Sequence, residues 1–332
     1  MAYMDPEYPS WRAKQIMLAR CDLGEVIILG DSRAAADIIP ANLPMTATNL
    51  AVGGGTAIEA YVVLSRALSC PTPPRLVLLS LDPGHFVRPD LFWERSVRFG
   101  LVDRHDIAAL RAVSLRTGDL SVYRGRGMTM LPLQVRDLLE DLRFPPYYFA
   151  ALARSLGILR WSRNERALAA TLLSRGHYGF GADAGSDGVA MEGHLSTFRP
   201  LPVLDAYFHR LLALLDLYGI ETRFLTMPVN EATWSRLDPS VMRAYKAYLA
   251  GYAARYALFR IDDNLPSHWP DRFFGDQFCH LNPEGAKLYS ALLAQRLQAA
   301  PPSTQNEAQN GWLSETGRDA SVKLVPISKR GS

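Results

Sequence analysis

The stretch Val26-Ile27-Ile28-Leu29-Gly30-Asp31-Ser32-Arg33 decides how the chain is read. Its apolar, mostly β-branched half predicts a buried strand from about Glu25 to Leu29, and Gly30 lets the backbone turn sharply where the strand stops. In an open α/β sheet, the carboxyl ends of the strands are where ligands bind. Ser32 is therefore a candidate nucleophile. Gly-Asp-Ser also describes an ordinary turn, in which Asp31 bonds nearby backbone amides, so the serine needs a base from elsewhere in the chain.

Working outward, the same unit recurs. Thr48 to Val52 reads as a second short strand that runs into Gly53-Gly54-Gly55-Thr56, and Ile58, Tyr61, Val62, Ser65 and Leu68 follow at helical spacing. Leu76 to Leu81 is a continuous apolar run, the pattern of a central parallel strand covered on both faces, and it ends at Asp82-Pro83-Gly84-His85. Before the first strand, Asp5 to Pro9 is irregular and a short helix spans about Trp11 to Ala19. The alternation resumes at Leu201 with an amphipathic helix ended by Gly219. A strand Thr222 to Met227 leaves through Pro228-Val229-Asn230, and a helix spans about Ser240 to Ala253. A strand Ala257 to Ile261 exits through Asp262-Asp263-Asn264, and a last helix starts at Asn282-Pro283. The expected fold is α/β: a three-layer, flavodoxin-like five-stranded parallel sheet with a large, mainly helical insertion.

That insertion occupies about residues 87–200. Ile107 to Leu115, Leu133 to Leu142, Tyr147 to Leu156 and Glu165 to Leu173 look helical, Gly176 to Gly193 is a glycine-rich loop, and the whole is long enough to cap the site or form a separate helical domain. Residues 1–20 form an N-terminal lead-in, 21–300 the α/β domain with its insertion, and 301–332 a polar, aperiodic, disordered tail.

Composition narrows the function classes. The 332 residues are 48% hydrophobic and 21% charged, and a net charge of +3 is too small to argue for a nucleic-acid partner. Every basic residue between Phe86 and Pro200 is Arg, which suits carboxylate or phosphate groups unless it reflects codon bias. Cys21, Cys70 and Cys279 lack metal-ligand spacing, and their odd number leaves at least one unpaired. No run approaches the roughly 18 to 20 apolar residues of a membrane span, and Met1 to Trp11 shows no signal-peptide pattern.

Serine catalysis needs a base, a group that orients it and donors for the oxyanion. Phe274-Gly275-Asp276-Gln277-Phe278-Cys279-His280-Leu281-Asn282-Pro283-Glu284-Gly285 can supply the first two. With Gly30-Asp31-Ser32-Arg33 and the glycine block within Asn49 to Gly55, it makes three ordered blocks. By these the chain resembles the SGNH (GDSL-like) hydrolase superfamily over about residues 22–86 and 201–298. It is most similar to the branch acting in cell-envelope polysaccharide O-acetylation or D-alanylation.

The resemblance implies Ser32 as nucleophile, His280 as general base and Asp276 as the residue that holds the imidazole. It implies oxyanion donors in the amides of Ser32 and one glycine of the second block, Gly54 ahead of Gly53 and Gly55. No cofactor or metal is implied. The expected activity is that of a serine-dependent esterase or O-acyltransferase on an acylated carbohydrate, in the periplasm or cell envelope, with a membrane acyl-transfer partner as a further expectation.

Two departures stand out. Three residues separate Asp276 from His280 where the family usually has two; a helical turn would still keep both on one face, with Asp262, Asp263 or Asp271 as other orienting acids. Asp82 stands near where the family offers an oxyanion asparagine, and a carboxylate would repel developing negative charge. His85 beside it either contacts substrate or is a solvated loop residue. Nucleotide binding at Gly53-Gly54-Gly55-Thr56 lacks the Gly-Lys-Ser/Thr continuation, and Cys279 as nucleophile competes with Ser32. The rival class is a catalytically idle SGNH-like module that binds glycan or scaffolds an assembly, with Trp93, Tyr123, Tyr147, Tyr148 and Trp161 stacking on sugars or filling the core.

Overall fold

A computed structural model describes residues 5–89, 91–123, 158–263 and 265–300. The expected helices Leu133 to Leu142 and Tyr147 to Leu156, with Tyr147 and Tyr148, and the tail from 301 lie outside the described residues. In chain order the elements are α1 (Tyr8–Arg20), β1 (Val26–Gly30), α2 (Ser32–Asp37), β2 (Ala47–Asn49), α3 (Ala57–Ala67), β3 (Leu76–Ser80) and α4 (Gly84–Val87). There follow a π-helical turn at Phe92–Val97, α5 (Arg104–Thr117), α6 (Ile158–Leu173), α7 (Pro202–Leu217), β4 (Glu221–Leu225) and α8 (Glu231–Trp234). Helix α9 (Pro239–Arg255), β5 (Phe259–Asp262) and α10 (Pro283–Ala299) complete the fold.

The five strands form one all-parallel sheet in the order β2-β1-β3-β4-β5. This is the flavodoxin-like arrangement expected from the alternation of strand and helix. In β1 and β3 every side chain is buried, because both faces are covered. Period-two alternation then sorts the side chains between two cores. Ile27, Leu29, Val77 and Leu79 join the cluster containing residues of α1, α3, α7 and α9, whereas Val26, Ile28, Leu76 and Leu78 join the one formed with α2 and α10. The chain crosses from the β1–β2 side to β3 at the centre of the sheet, so β1 and β3 diverge there. That crevice is where a doubly wound sheet binds ligand.

The second strand is shorter than its apolar run suggests. Asn49 ends it by turning its amide into the carboxyl end of α2, donating to the carbonyls of Ala34 at 2.8 Å and Ile38 at 3.0 Å. Its exposed edge is covered by the insertion, where Arg175 accepts from Asn49 N at 2.8 Å. Helix α6 lies against α1 and α5 against α7, so the helices described in the insertion pad the flanks of the sheet. The segment over the sheet's carboxyl edge is instead the irregular, glycine-rich run 176–200. Trp93 and Tyr123 are core residues, at 4% and 2% exposure, and are not available to stack on a sugar. Trp161 is exposed on α6.

Candidate active site

Gly30 ends β1 at φ +142, and a Cβ there would come within 2.0 Å of the Ser80 carbonyl oxygen on the neighbouring strand. Only glycine fits, so the chain can leave the sheet abruptly. Asp31 then caps α2, its Oδ1 accepting from Arg33 N at 2.9 Å and Ala34 N at 3.2 Å, while its Oδ2 accepts from Asp82 N at 3.2 Å. The expected turn-fastening role of Asp31 is thus met, and it also ties the ends of β1 and β3 together. Ser32, the first residue of α2, lines a cavity of about 870 Å³ at the carboxyl edge of the sheet, together with Gly54, His85, Asp276 and His280.

His280 and Asp276 reach this cavity from the far end of the chain. His280 Nδ1 lies 2.6 Å from Asp276 Oδ2, and its Nε2 is buried with no hydrogen-bond partner among the described residues. Ser32 and His280 line one cavity, and no hydrogen bond joins them. Burial alone would raise the Asp276 carboxyl. The hydrogen bond and charge of His280, with the amides of Phe278 and His280, outweigh it and hold the group below the ordinary aspartate range.

The three intervening residues are accommodated by a loop and not by a helical turn. Asp276 Oδ1 accepts from Phe278 N at 2.9 Å and His280 N at 3.3 Å, Cys279 takes a left-handed φ of 60, and a bridge between Phe274 and Leu281 closes the loop. Cys279 is fully buried, its thiol against Thr233 and Asn230, and burial pushes that thiol up. It anchors the loop and lies away from the cavity. Asp271, one of the other acids considered, accepts from Glu231 N, and Asp262 faces Arg296.

Among the three glycines only Gly54 lines the cavity. It has φ +70, and a side chain there would meet Leu91 at 2.9 Å. Gly55 is needed against the Gly30 carbonyl oxygen, 2.5 Å from a built Cβ, and Gly53 abuts Glu7 and Arg95.

Asp82 is not a bare carboxylate. Arg33 donates to it at 2.6 Å and to Glu192 at 2.7 Å, and His85 Nδ1 sits 2.9 Å from Asp82 Oδ2 and 3.3 Å from Asp31 Oδ2. Burial would raise Asp82, but the charges of His85 and Arg33 and the hydrogen bond from Arg33 hold it far below the ordinary range. Burial would lower His85, but Asp82 and Asp31 push it up to about 9 against Arg33. At 9% exposure, His85 is no solvated loop residue. Asp31, Asp82 and His85 bring one ligand atom each within 4.8 Å of one another, and the positive charge that a metal would bring to such a trio is already delivered by Arg33. The Arg33–Asp82–Glu192 group also forms a wall shared with a second, more apolar cavity of about 430 Å³ that includes Leu225, Met227, Trp234 and Leu265.

Several supporting residues carry no motif in the sequence. Phe180 stacks on the His280 ring at 4.7 Å, Gly181 touches the backbone of Gly275, and Gly188 touches Gln277. The strap 176–200 is thereby moulded onto the His280 loop. Asn230, buried at the exit of β4, donates to Ser186 O at 2.9 Å and Gly188 O at 2.8 Å and fixes the strap from below. Asp37, buried at the end of α2, accepts from Leu281 N at 2.9 Å and joins the serine's helix to the histidine's loop. Asn230 could have been suspected from its place at a strand exit; Phe180 and Asp37 gave no such signal.

No family model and no curated protein matches the chain. A solved structure from Streptococcus pneumonia that is named for platelet activating factor is 12% identical, with a TM-score of 0.35 over 87% of this chain and 90% of that one; a likeness of this size carries no argument.

Proposed function

We propose that the protein is a serine-dependent esterase or O-acyltransferase of the SGNH type, working through an acyl-enzyme on an acylated carbohydrate or a related envelope ester. The observation that carries this reading is the His280–Asp276 pair, whose ring has an unpartnered Nε2 and lines the same cavity as Ser32 at the end of β1. Ser32 Oγ attacks the ester carbonyl while His280 Nε2 takes its proton, and Asp276 fixes the tautomer and stabilises the imidazolium. The amides of Ser32 and Gly54 receive the oxyanion. His280 then protonates the leaving alkoxide, and water or a sugar hydroxyl, deprotonated in turn by His280, attacks the acyl-enzyme and frees Ser32.

The cavity is large enough for more than one small ring, and Phe180 and the exposed Phe278 offer flat apolar surface to a sugar face. The Cys21–Cys70 disulfide, with Cα atoms 5.4 Å apart, supports an oxidising compartment such as the cell envelope. No helix among the described residues is long and apolar enough to cross a membrane.

A fluorophosphonate probe tests the reading. The native protein should be labelled at Ser32 and should turn over p-nitrophenyl acetate, and both properties should vanish in Ser32→Ala and His280→Ala. A folded native protein that neither labels nor turns over the ester, yet binds acetylated oligosaccharide in calorimetry, would be a glycan-binding module and not an enzyme.

A further inference from the structure

We propose that His85 is a catalytic residue of this site: its imidazolium donates from Nε2 to the oxyanion that forms when Ser32 attacks, in the role for which Asp82 is chemically unsuited. The inference rests on the reading of Ser32 as nucleophile and adds to it a donor of different chemistry.

Position carries the first part. Gly30 and Ser80 are paired across β1 and β3, so Ser32 and Asp82 leave the sheet side by side, each two residues beyond the pair. His85 lies one short turn further, its backbone N donating to Asp82 Oδ1 at 3.2 Å and its Nδ1 facing the carboxylate of Asp31, the residue next to Ser32. Nδ1 is buried 2.9 and 3.3 Å from two carboxylate oxygens with no hydrogen bond aligned to either, and Nε2 is the ring nitrogen left for the cavity that His85 lines with Ser32 and Gly54.

Charge carries the second part. Asp82 and Asp31 face the ring, and Arg33, held between Asp82 and Glu192, stands behind them. Around the cavity the other charged and titratable groups are Arg88, His194, the Glu7–Arg95 pair and the His280–Asp276 pair. The two nearest groups are anions, so the ring is kept protonated through neutral pH. A buried imidazolium lodged beside fixed carboxylates is a preorganised donor, and it adds a full charge where the tetrahedral intermediate becomes negative. The proton remains on His85 throughout, so the bond-making and bond-breaking steps are unchanged.

The test is steady-state kinetics on p-nitrophenyl acetate with His85→Ala, His85→Asn and Asp82→Asn, each checked by circular dichroism. His85→Ala should lose about 100-fold or more in kcat with little change in KM, as removal of one oxyanion donor does. His85→Asn, which keeps a neutral donor, should recover part of the loss. The native kcat should fall as pH rises through about 9. That limb should be absent in His85→Asn and move to lower pH in Asp82→Asn, shifts that a purely structural role would not produce. A native profile that stays level through the same range overturns the proposal even if the variants fail to fold, and so does His85→Ala with native kcat. A native protein with neither turnover nor probe labelling overturns the nucleophile reading and this one with it.

Discussion

Asp276 illustrates how much one carboxylate is asked to do. It accepts the His280 ring N–H and two backbone amides of its own loop, so Asp276→Asn changes the tautomer that the ring is offered while leaving most of the loop in place. We expect kcat on a p-nitrophenyl ester to drop by about 10⁴-fold, with KM nearly unchanged; a loss below about tenfold would mean that Asp276 does not orient the base. Phe180 acts on the same ring through stacking alone. Phe180→Ala should slow probe labelling of Ser32 by a smaller factor, about tenfold, because an imidazole free to rock spends less time aligned. Neither effect could be assigned from sequence in the same way. The Asp/His block was legible as a motif, whereas Phe180 is one aromatic among many in a stretch without periodicity.

At the scale of elements, the glycine-rich strap 176–200 is the part of the insertion moulded onto the His280 loop; Arg88, Leu91 and Arg95 also line the cavity, and α5 and α6 do not. The strap's glycines are there for close approach: a Cβ on Gly181 would sit 2.3 Å from Gly275 C, and one on Gly188 would sit 2.3 Å from Gln277 Cα. Gly181→Ala should therefore push the Asp276–His280 loop outward and cost about 100-fold in the rate of Ser32 labelling, since a displacement of about 1 Å is enough for that. Far-ultraviolet circular dichroism should stay native, because α1–α10 and the sheet do not depend on this contact. Labelling at the native rate would show that the strap is not a support for the loop. Glycines in sequence announce a loop, but not which other loop they are pressed against.

Across the whole molecule, two features set how folding responds to conditions. The Cys21–Cys70 bond joins the ends of α1 and α3 across 49 residues, a closure worth about 4 kcal/mol in the chain-entropy account. Reduction should lower the urea midpoint accordingly, with no change in the labelling of Ser32 below the transition. Asp37 responds to pH. Burial pushes its carboxyl well above the ordinary range, against the amide of Leu281 and the charge of Arg33. The folded chain then keeps a proton that the unfolded chain releases above about pH 4, so stability falls as pH rises above that value toward the folded-state one. Asp37→Asn keeps the acceptor for Leu281 N and removes the titration. Its melting temperature should vary less than the native one between about pH 5 and about pH 8; equal pH dependence would refute the assignment.

The order of strands and helices, the carboxyl edge as the place where polar exits gather, and Ser32, Asp276 and His280 as candidate site residues are all legible in local pattern. Apolar runs of strand length end at glycine or polar exits, and helices carry their own caps and stripes; such information lies within a few residues of where it is used. What only the tertiary structure decided is which groups from distant parts of the chain meet. Arg33 and Glu192 are 159 residues apart, and Asp37 and Leu281 are 244 apart. Asp82 looked out of place beside a nucleophile until Arg33 and His85 were seen to take up its charge. Burial and long-range electrostatics convert that aspartate from an obstacle into the residue that holds a cation beside Ser32, and neither property is carried by any short stretch of sequence.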